Sequence, residues 1–202
     1  MKKYNLVPMH YWKSKKKNKN TRNEENVKPN LVNRKFDVDK ENKIWTTDIT
    51  YLIFKGSRAY LSTILDLYDR KVVAYKISKH NDIKLVTDTL NEAIAKRKDV
   101  SGVILHSDQG VHYTSPKFHN LLKKYNIQQS MSRRGNCWDN APQESYFGHM
   151  KDELNLDTCF TFRDVCNEIK DYIEYYNNYR YQWNLKKMTP VQYRNHLFES
   201  IA

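Results

Sequence analysis

Residues 44–54 read IWTTDITYLIF, an almost unbroken run of β-branched and aromatic side chains, the composition of an extended strand. Lys55-Gly56-Ser57 then supplies a turn, and a second apolar stretch follows, AYLSTILDL at residues 59–67. Tyr68-Asp69-Arg70 interrupts the pattern before KVVAYKIS at residues 71–78. Three strands joined by short polar turns predict an antiparallel meander.

Downstream the period changes. Asn81 or Asp82 caps a predicted helix whose apolar positions Val86, Leu90, Ala93 and Ile94 recur at helical spacing. GVILH at 102–106 is a short apolar run of the kind buried in a parallel sheet. Ser115 and Pro116 open a further helix, with proline where no amide partner is lost, and residues 127–131 predict a fifth strand. After the polar loop SRRGNCWDN, a helix is expected from Asn140 or Ala141 to about Leu154. Another starts at Thr161, which pairs with Asp164 as a capping box and carries Tyr172, Ile173 and Tyr176 on its core face. A short helix follows Thr189-Pro190. The order β-β-β-α-β-α-β-α-α predicts an α/β fold. Its mixed sheet, three antiparallel strands then two parallel strands flanked by helices, is the ribonuclease H-like layout.

Composition bounds the function. The 202 residues allow one domain with a short appendage. An aromatic share of 13% argues for a packed core. Lys and Arg number 35 against 23 acids, a net +12 that favours a polyanionic partner. No apolar run approaches the roughly 18 residues that span a bilayer, and the basic start lacks the apolar stretch of a signal peptide. A cytoplasmic protein with no membrane role is expected. Three cysteines without a Cys-x-x-Cys pair make a poor disulfide or zinc framework.

The charge is uneven. Residues 1–35 hold 11 Lys and Arg against two acids, leaving a net charge of only +3 for the rest. Lys13, Lys15, Lys16, Lys17 and Lys19 sit among Asn and Ser with no apolar period, so a flexible basic arm is expected, and these lysines are candidate DNA contacts. The expected division is an arm and linker over 1–42, largely disordered, a catalytic core over 43–160, and a helical extension over 161–202 packed on that core.

Three acids occupy unusual places. Asp48 lies inside the first strand, Asp108 just past the fourth, and Glu144 near the start of a helix. A carboxylate in or at the tip of a buried strand is costly unless paired, hydrogen-bonded or bound to a cation. Carboxylate oxygens suit Mg²⁺ or Mn²⁺, and two such ions about 4 Å apart can drive in-line phosphoryl displacement. The 35 residues between Asp108 and Glu144 would mean little alone; their placement on neighbouring elements gives the pattern weight.

TTDITY (46–51), HSDQGVHYTS (106–115) and SMSRRGNCWDNAPQESYFGHMKDEL (130–154) resemble the catalytic blocks of bacterial insertion-sequence transposases. The group in question has a second open reading frame that supplies a retroviral-integrase-type core with a DDE triad. The resemblance spans roughly residues 28–198. It includes Tyr176, Asn177, Arg180, Leu185, Thr189 and Pro190 of the closing segment, with Gln182 where relatives often have His. It implies that Asp48, Asp108 and Glu144 hold two divalent ions, Mg²⁺ with Mn²⁺ able to substitute. Cleavage at a transposon end would precede strand transfer by the freed 3′-hydroxyl, with no covalent enzyme–DNA intermediate. Lys151, two helical turns past Glu144, would touch DNA near the site.

Arg133 and Arg134 are candidate phosphate clamps in the loop before Glu144. His106, His112 and Tyr113 flank Asp108 and could orient it, contact DNA or serve structure alone. Trp138 is expected to pack beneath the helix rather than stack on a base. Asp66 and Asp69 are rival acids without a matching block.

Relatives carry helix-turn-helix material upstream, which has no room in the basic arm. The resemblance therefore implies DNA ends and target duplex as partners, a homo-oligomer at least dimeric on DNA, and one of two readings: a truncated or separately started frame that lacks the recognition domain, or an upstream-frame helix-turn-helix partner protein. Two alternatives stay open at this level: a nuclease that only hydrolyses, and a noncatalytic DNA-binding remnant or regulator of a full-length transposase.

Overall fold

The computed structural model describes residues 26–199, so Lys13, Lys15, Lys16, Lys17 and Lys19 lie outside the described residues. Strands β1 (Ile44–Phe54) and β2 (Ser57–Asp66) form a hairpin paired from Trp45↔Asp66 to Phe54↔Ser57. Its two-residue turn, Lys55-Gly56, has positive φ at both positions, 42° and 74°. That is the turn whose twist matches paired strands, and glycine takes the second position without strain. β3 (Val72–Ser78) runs antiparallel to β2, with a register shift at Ile64/Leu65.

β4 (Ile104–Ser107) lies parallel to β1, and β5 (Gln128–Met131) parallel to β4, giving the order β3-β2-β1-β4-β5. The expected mixed sheet is present, three antiparallel strands followed by two parallel ones. β4 pairs with β1 only over Ile44–Thr46, so the C-terminal part of β1 projects beyond its neighbour.

Helices cover both faces. α1 (Ile83–Arg97), capped by the Asp82 side chain, and α2 (Pro116–Lys124), capped by Ser115, bury Val86, Leu90, Phe118 and Leu122 against Trp45, Ile64 and Leu105. On the other face, α3 (Ala141–Glu153) and α4 (Phe162–Asn178) bury Tyr146, Met150, Val165, Ile169 and Ile173 against Leu52, Leu61 and Leu65. The Thr161–Asp164 capping box opens α4, and Tyr172 and Tyr176 are buried within its packed face. α4 also closes an edge. The Asn177 amide accepts from Val72 N at 2.9 Å and donates to Val72 O at 3.2 Å, standing in for a missing strand partner beside the register shift.

One feature departs from the division drawn from composition. Residues 28–36, assigned there to the arm, are docked: Leu31 N donates to Ser130 Oγ at 2.9 Å, and Val32 is buried with Ile44 and Leu67. Val32 and Phe36, with Val38 just beyond, give this segment a small core that its charge conceals. α5 (Pro190–Glu199) is tied to the end of β2 by Arg194, which meets Asp66, Asp69 and Glu41. Among the described residues no helix is long and apolar enough to cross a membrane.

Candidate active site

The parallel register brings two of the three acids together. Thr46 on β1 pairs with His106 on β4, so Asp48 and Asp108 each stand two residues beyond a directly matched couple. Neighbouring strands are about 4.8 Å apart and alternate side chains share a face, so the two carboxylates emerge side by side. Asp48 Oδ1 accepts from Ile49 N at 2.7 Å. Asp108 Oδ1 accepts from Gly110 N at 2.8 Å. A Cβ on Gly110 would sit 2.8 Å from that same oxygen, which explains a glycine there.

The third acid arrives on α3. Gln143, fully buried, accepts from Thr46 Oγ1 at 3.2 Å and donates to Thr63 Oγ1, fastening the first helical turn to β1 and β2. Glu144 follows it directly and opens into a cleft of about 450 Å³ lined by Asp48, Asp108, Glu144, Arg134 and Asn140.

Electrostatics register the crowding. Burial, then the Asp108 charge, push the Asp48 carboxyl up to about 7, with Glu144 adding to the rise and Lys151 opposing it. Burial also raises Glu144. Among the described residues no three of His, Cys, Asp and Glu stand close enough to enclose a metal ion. Two of the carboxylates are instead turned onto backbone amides one or two residues along the chain, Asp48 within β1 and Asp108 just past β4. The donor set is nonetheless all hard oxygen, and a cation would relieve the repulsion that burdens Asp48, so the residues fit Mg²⁺.

The remaining predicted residues divide. Lys151 is exposed, with Nζ 5.1 Å from the Tyr51 ring centroid. Arg134 is exposed on the cleft. Arg133 also lines it, but its guanidinium is engaged twice with Asp139, both bonds at 2.8 Å. His106 is fully buried between Ser130 Oγ (2.8 Å) and Ser132 Oγ (3.1 Å). Tyr113 is buried against Phe118, its hydroxyl 3.4 Å from Thr47 Oγ1. His112 and Tyr113, but not His106, line a groove beside Asp48 and Asp108.

Trp138 is 69% exposed and so does not pack beneath the helix as expected. The 3-10 turn Cys137–Asn140 buries Asp139 instead, which leaves its neighbour Trp138 outside. Asp66 and Asp69, buried and paired with Arg194, lie outside the residues that line the cleft.

Known proteins resemble this chain. The integrase core domain family matches residues 38–137 by one of its models and residues 144–198 by a second. The transposase for insertion sequence element IS904 of Lactococcus lactis is 37% identical, over 84% of this chain and 68% of that protein. The chain belongs to the integrase-core transposases. The putative transposase InsK for element IS150 of Escherichia coli K12 is 38% identical over 84% of this chain. This integrase-core chain spans 60% of the length of that relative. Among solved structures, the HTLV-2 integrase catalytic core domain in complex with magnesium superimposes with a TM-score of 0.61 at 21% identity, over 75% of this chain and 95% of that one. At that identity the match establishes the ribonuclease H-like fold of this integrase core.

Asp139 and Gln143 were not legible as site residues in the sequence of the integrase core. Asp139 receives Arg133, Arg34 and Asn30, and the hydrogen bonds from Arg133 and then Arg34 hold its carboxyl far below the usual range. It anchors the cleft loop from below.

Proposed function

We propose that the chain is the catalytic core of an insertion-sequence transposase, a DDE-type polynucleotidyl transferase that cuts DNA at the element's ends and joins them to a target. The observation that carries this reading is the convergence of Asp48, Asp108 and Glu144, from three separate elements, on one cleft. In this reading those carboxylates hold two divalent cations, Mg²⁺ or in its place Mn²⁺. When bound, the cations supply Lewis acidity and neutralise charge on the attacked phosphate.

The chain's own groups do the rest. Asp48 and Asp108 face the phosphate from adjacent strands, and Glu144 closes on it from α3. Arg134 and Lys151 offer exposed cations to flanking phosphates, as does Arg133 once it exchanges Asp139 for DNA. Gln143 keeps Glu144 at a fixed distance from the strands. The attacking oxygen comes from water in the first step and from the freed 3′-hydroxyl in the second, so no side-chain nucleophile is needed. DNA ends and target duplex are the substrates, handled by at least two copies of the chain in the cytoplasm at the nucleoid. A helix-turn-helix partner, together with the basic arm's Lys13, Lys15, Lys16, Lys17 and Lys19, is assigned to gripping the ends.

The test is cleavage and joining of a labelled element end in Mn²⁺ or Mg²⁺. Asp48→Asn, Asp108→Asn and Glu144→Gln should each lower cleavage at least about a hundredfold. Joined products from a pre-cleaved end are expected. Shortened strands alone would make the chain a nuclease, and full activity in Asp48→Asn would exclude the acids.

A further inference from the structure

The cleft that holds Arg134 and Glu144 is not the end of the path. Asp48, Asp108 and Gly110 also line a second groove, of about 190 Å³, together with Tyr51, Tyr60, Asn81 and His112. In-line displacement needs room for a strand on both sides of the attacked phosphate, and the two grooves meet at the acidic pair. At about 3.3 Å per residue along β1, Tyr51 stands about 10 Å from Asp48, toward the hairpin tip.

The tip is built unusually. The Tyr51 ring is 51% exposed, with the Arg58 guanidinium carbon 5.1 Å and Lys151 Nζ 5.1 Å from its centroid. Lys55 Nζ lies 4.6 Å from the Phe160 ring, itself exposed. A ring face attracts a cation without neutralising it. Some surface lysines are instead neutralised by carboxylates, as in Lys84–Asp88 and Lys96–Glu92. Among the described residues Arg58, Lys55 and Lys151 take part in no ion pair. Single exposed aromatics are ordinary on protein surfaces. One that orders two unneutralised cations at the mouth of an acidic groove has a polyanion as its complement.

We propose that Tyr51 is a positioning residue that holds Arg58 and Lys151 as a clamp on the DNA backbone where it leaves the acidic pair along β1, with Arg58 bonding a phosphate directly. The inference rests on the DNA-cutting function proposed above and adds the strand's path. A guanidinium meets a phosphate through two parallel hydrogen bonds, so Arg58 fixes direction as well as charge. Tyr51 contributes through the ring and not the hydroxyl.

The experiment measures affinity of the full chain for a short duplex in EDTA as KCl is varied, which separates binding from cleavage. Arg58→Ala should reduce the log–log salt slope by about one and weaken binding roughly three- to tenfold near physiological salt. Tyr51→Ala should reduce the slope as much although it removes no charge, and Tyr51→Phe should restore it. Lys84→Ala, a charge loss at a paired lysine, should leave the slope unchanged. Thermal melts establish that each variant is folded, and Arg58→Lys repeats the test with charge retained but the paired bonds lost. Unchanged slopes in both Arg58→Ala and Tyr51→Ala overturn the clamp. So does a weaker Tyr51→Ala with an unaltered slope, which would make the ring a base contact. Cleavage by the unmodified chain in Mn²⁺ is read in parallel. If it cuts and the slopes stay fixed, only the clamp is lost; if it does not cut, the function itself is overturned.

Discussion

In the proposed function, Asp48 is a side chain that serves chemistry at the expense of the fold. An aspartate in the unfolded chain ionises near 3.8, whereas burial and Asp108 hold this one protonated up to about pH 7. Between those values the folded chain binds a proton that the unfolded chain has released, so stability falls as pH climbs through that window. Asp48→Asn removes the burden. In cation-free buffer the variant should be more stable than the parent at pH 8, by on the order of 1–3 kcal/mol, and should converge with it near pH 4. Denaturant melts at the two pH values check this; equal stability at pH 8 would mean that the carboxylate is well solvated. The acid itself was visible in the sequence, because charge inside an apolar strand is conspicuous. Gln143 and Asp139 were not, since NAPQES and CWDN read as polar loop and helix start. What makes them matter is burial against Thr46, Thr63 and Arg34, partners 80 to 105 positions away. Trp138 failed for the same reason, because nothing local says which of two neighbours a short turn will bury.

Among the elements, α3 matters most for the site, and one buried amide sets its seat. Gln143→Leu fills similar volume but leaves two threonine hydroxyls without their partner. It should cost about 1–3 kcal/mol and depress cleavage by more than the loss of folded protein explains, since Glu144 rides on the same turn. Chemical denaturation together with metal-dependent cleavage under folding conditions tests it; normal cleavage in a folded variant would assign α3's position to apolar packing alone. Strand and helix types were legible from periodicity, and the caps at Asp82, Ser115 and Thr161 fell where side-chain chemistry placed them. Strand order was not legible. It depends on how α1 and α2 cross the sheet, which the pattern of one strand does not record.

Across the whole molecule, α4 belongs to the second core as fully as the sheet does. Val165, Ile169, Ile173 and Tyr176 are buried with Leu52, Leu61 and Met150. A chain ending at residue 160 should therefore fail to fold cooperatively, seen as loss of a sigmoidal melt. A sharp transition from that fragment would mean the sheet and α3 suffice. Composition separated a charged beginning from a mixed remainder, and that contrast hid Val32 and Phe36 within the docked segment and Val38 just beyond it.

Arg34 and Asn30 both grip Asp139, and Asp139 in turn holds the loop that rims the cleft. Tension applied at residue 26 would thus be felt at the lip of the acidic opening before the sheet took any strain, as a drawstring acts on the mouth of a bag and not on its base.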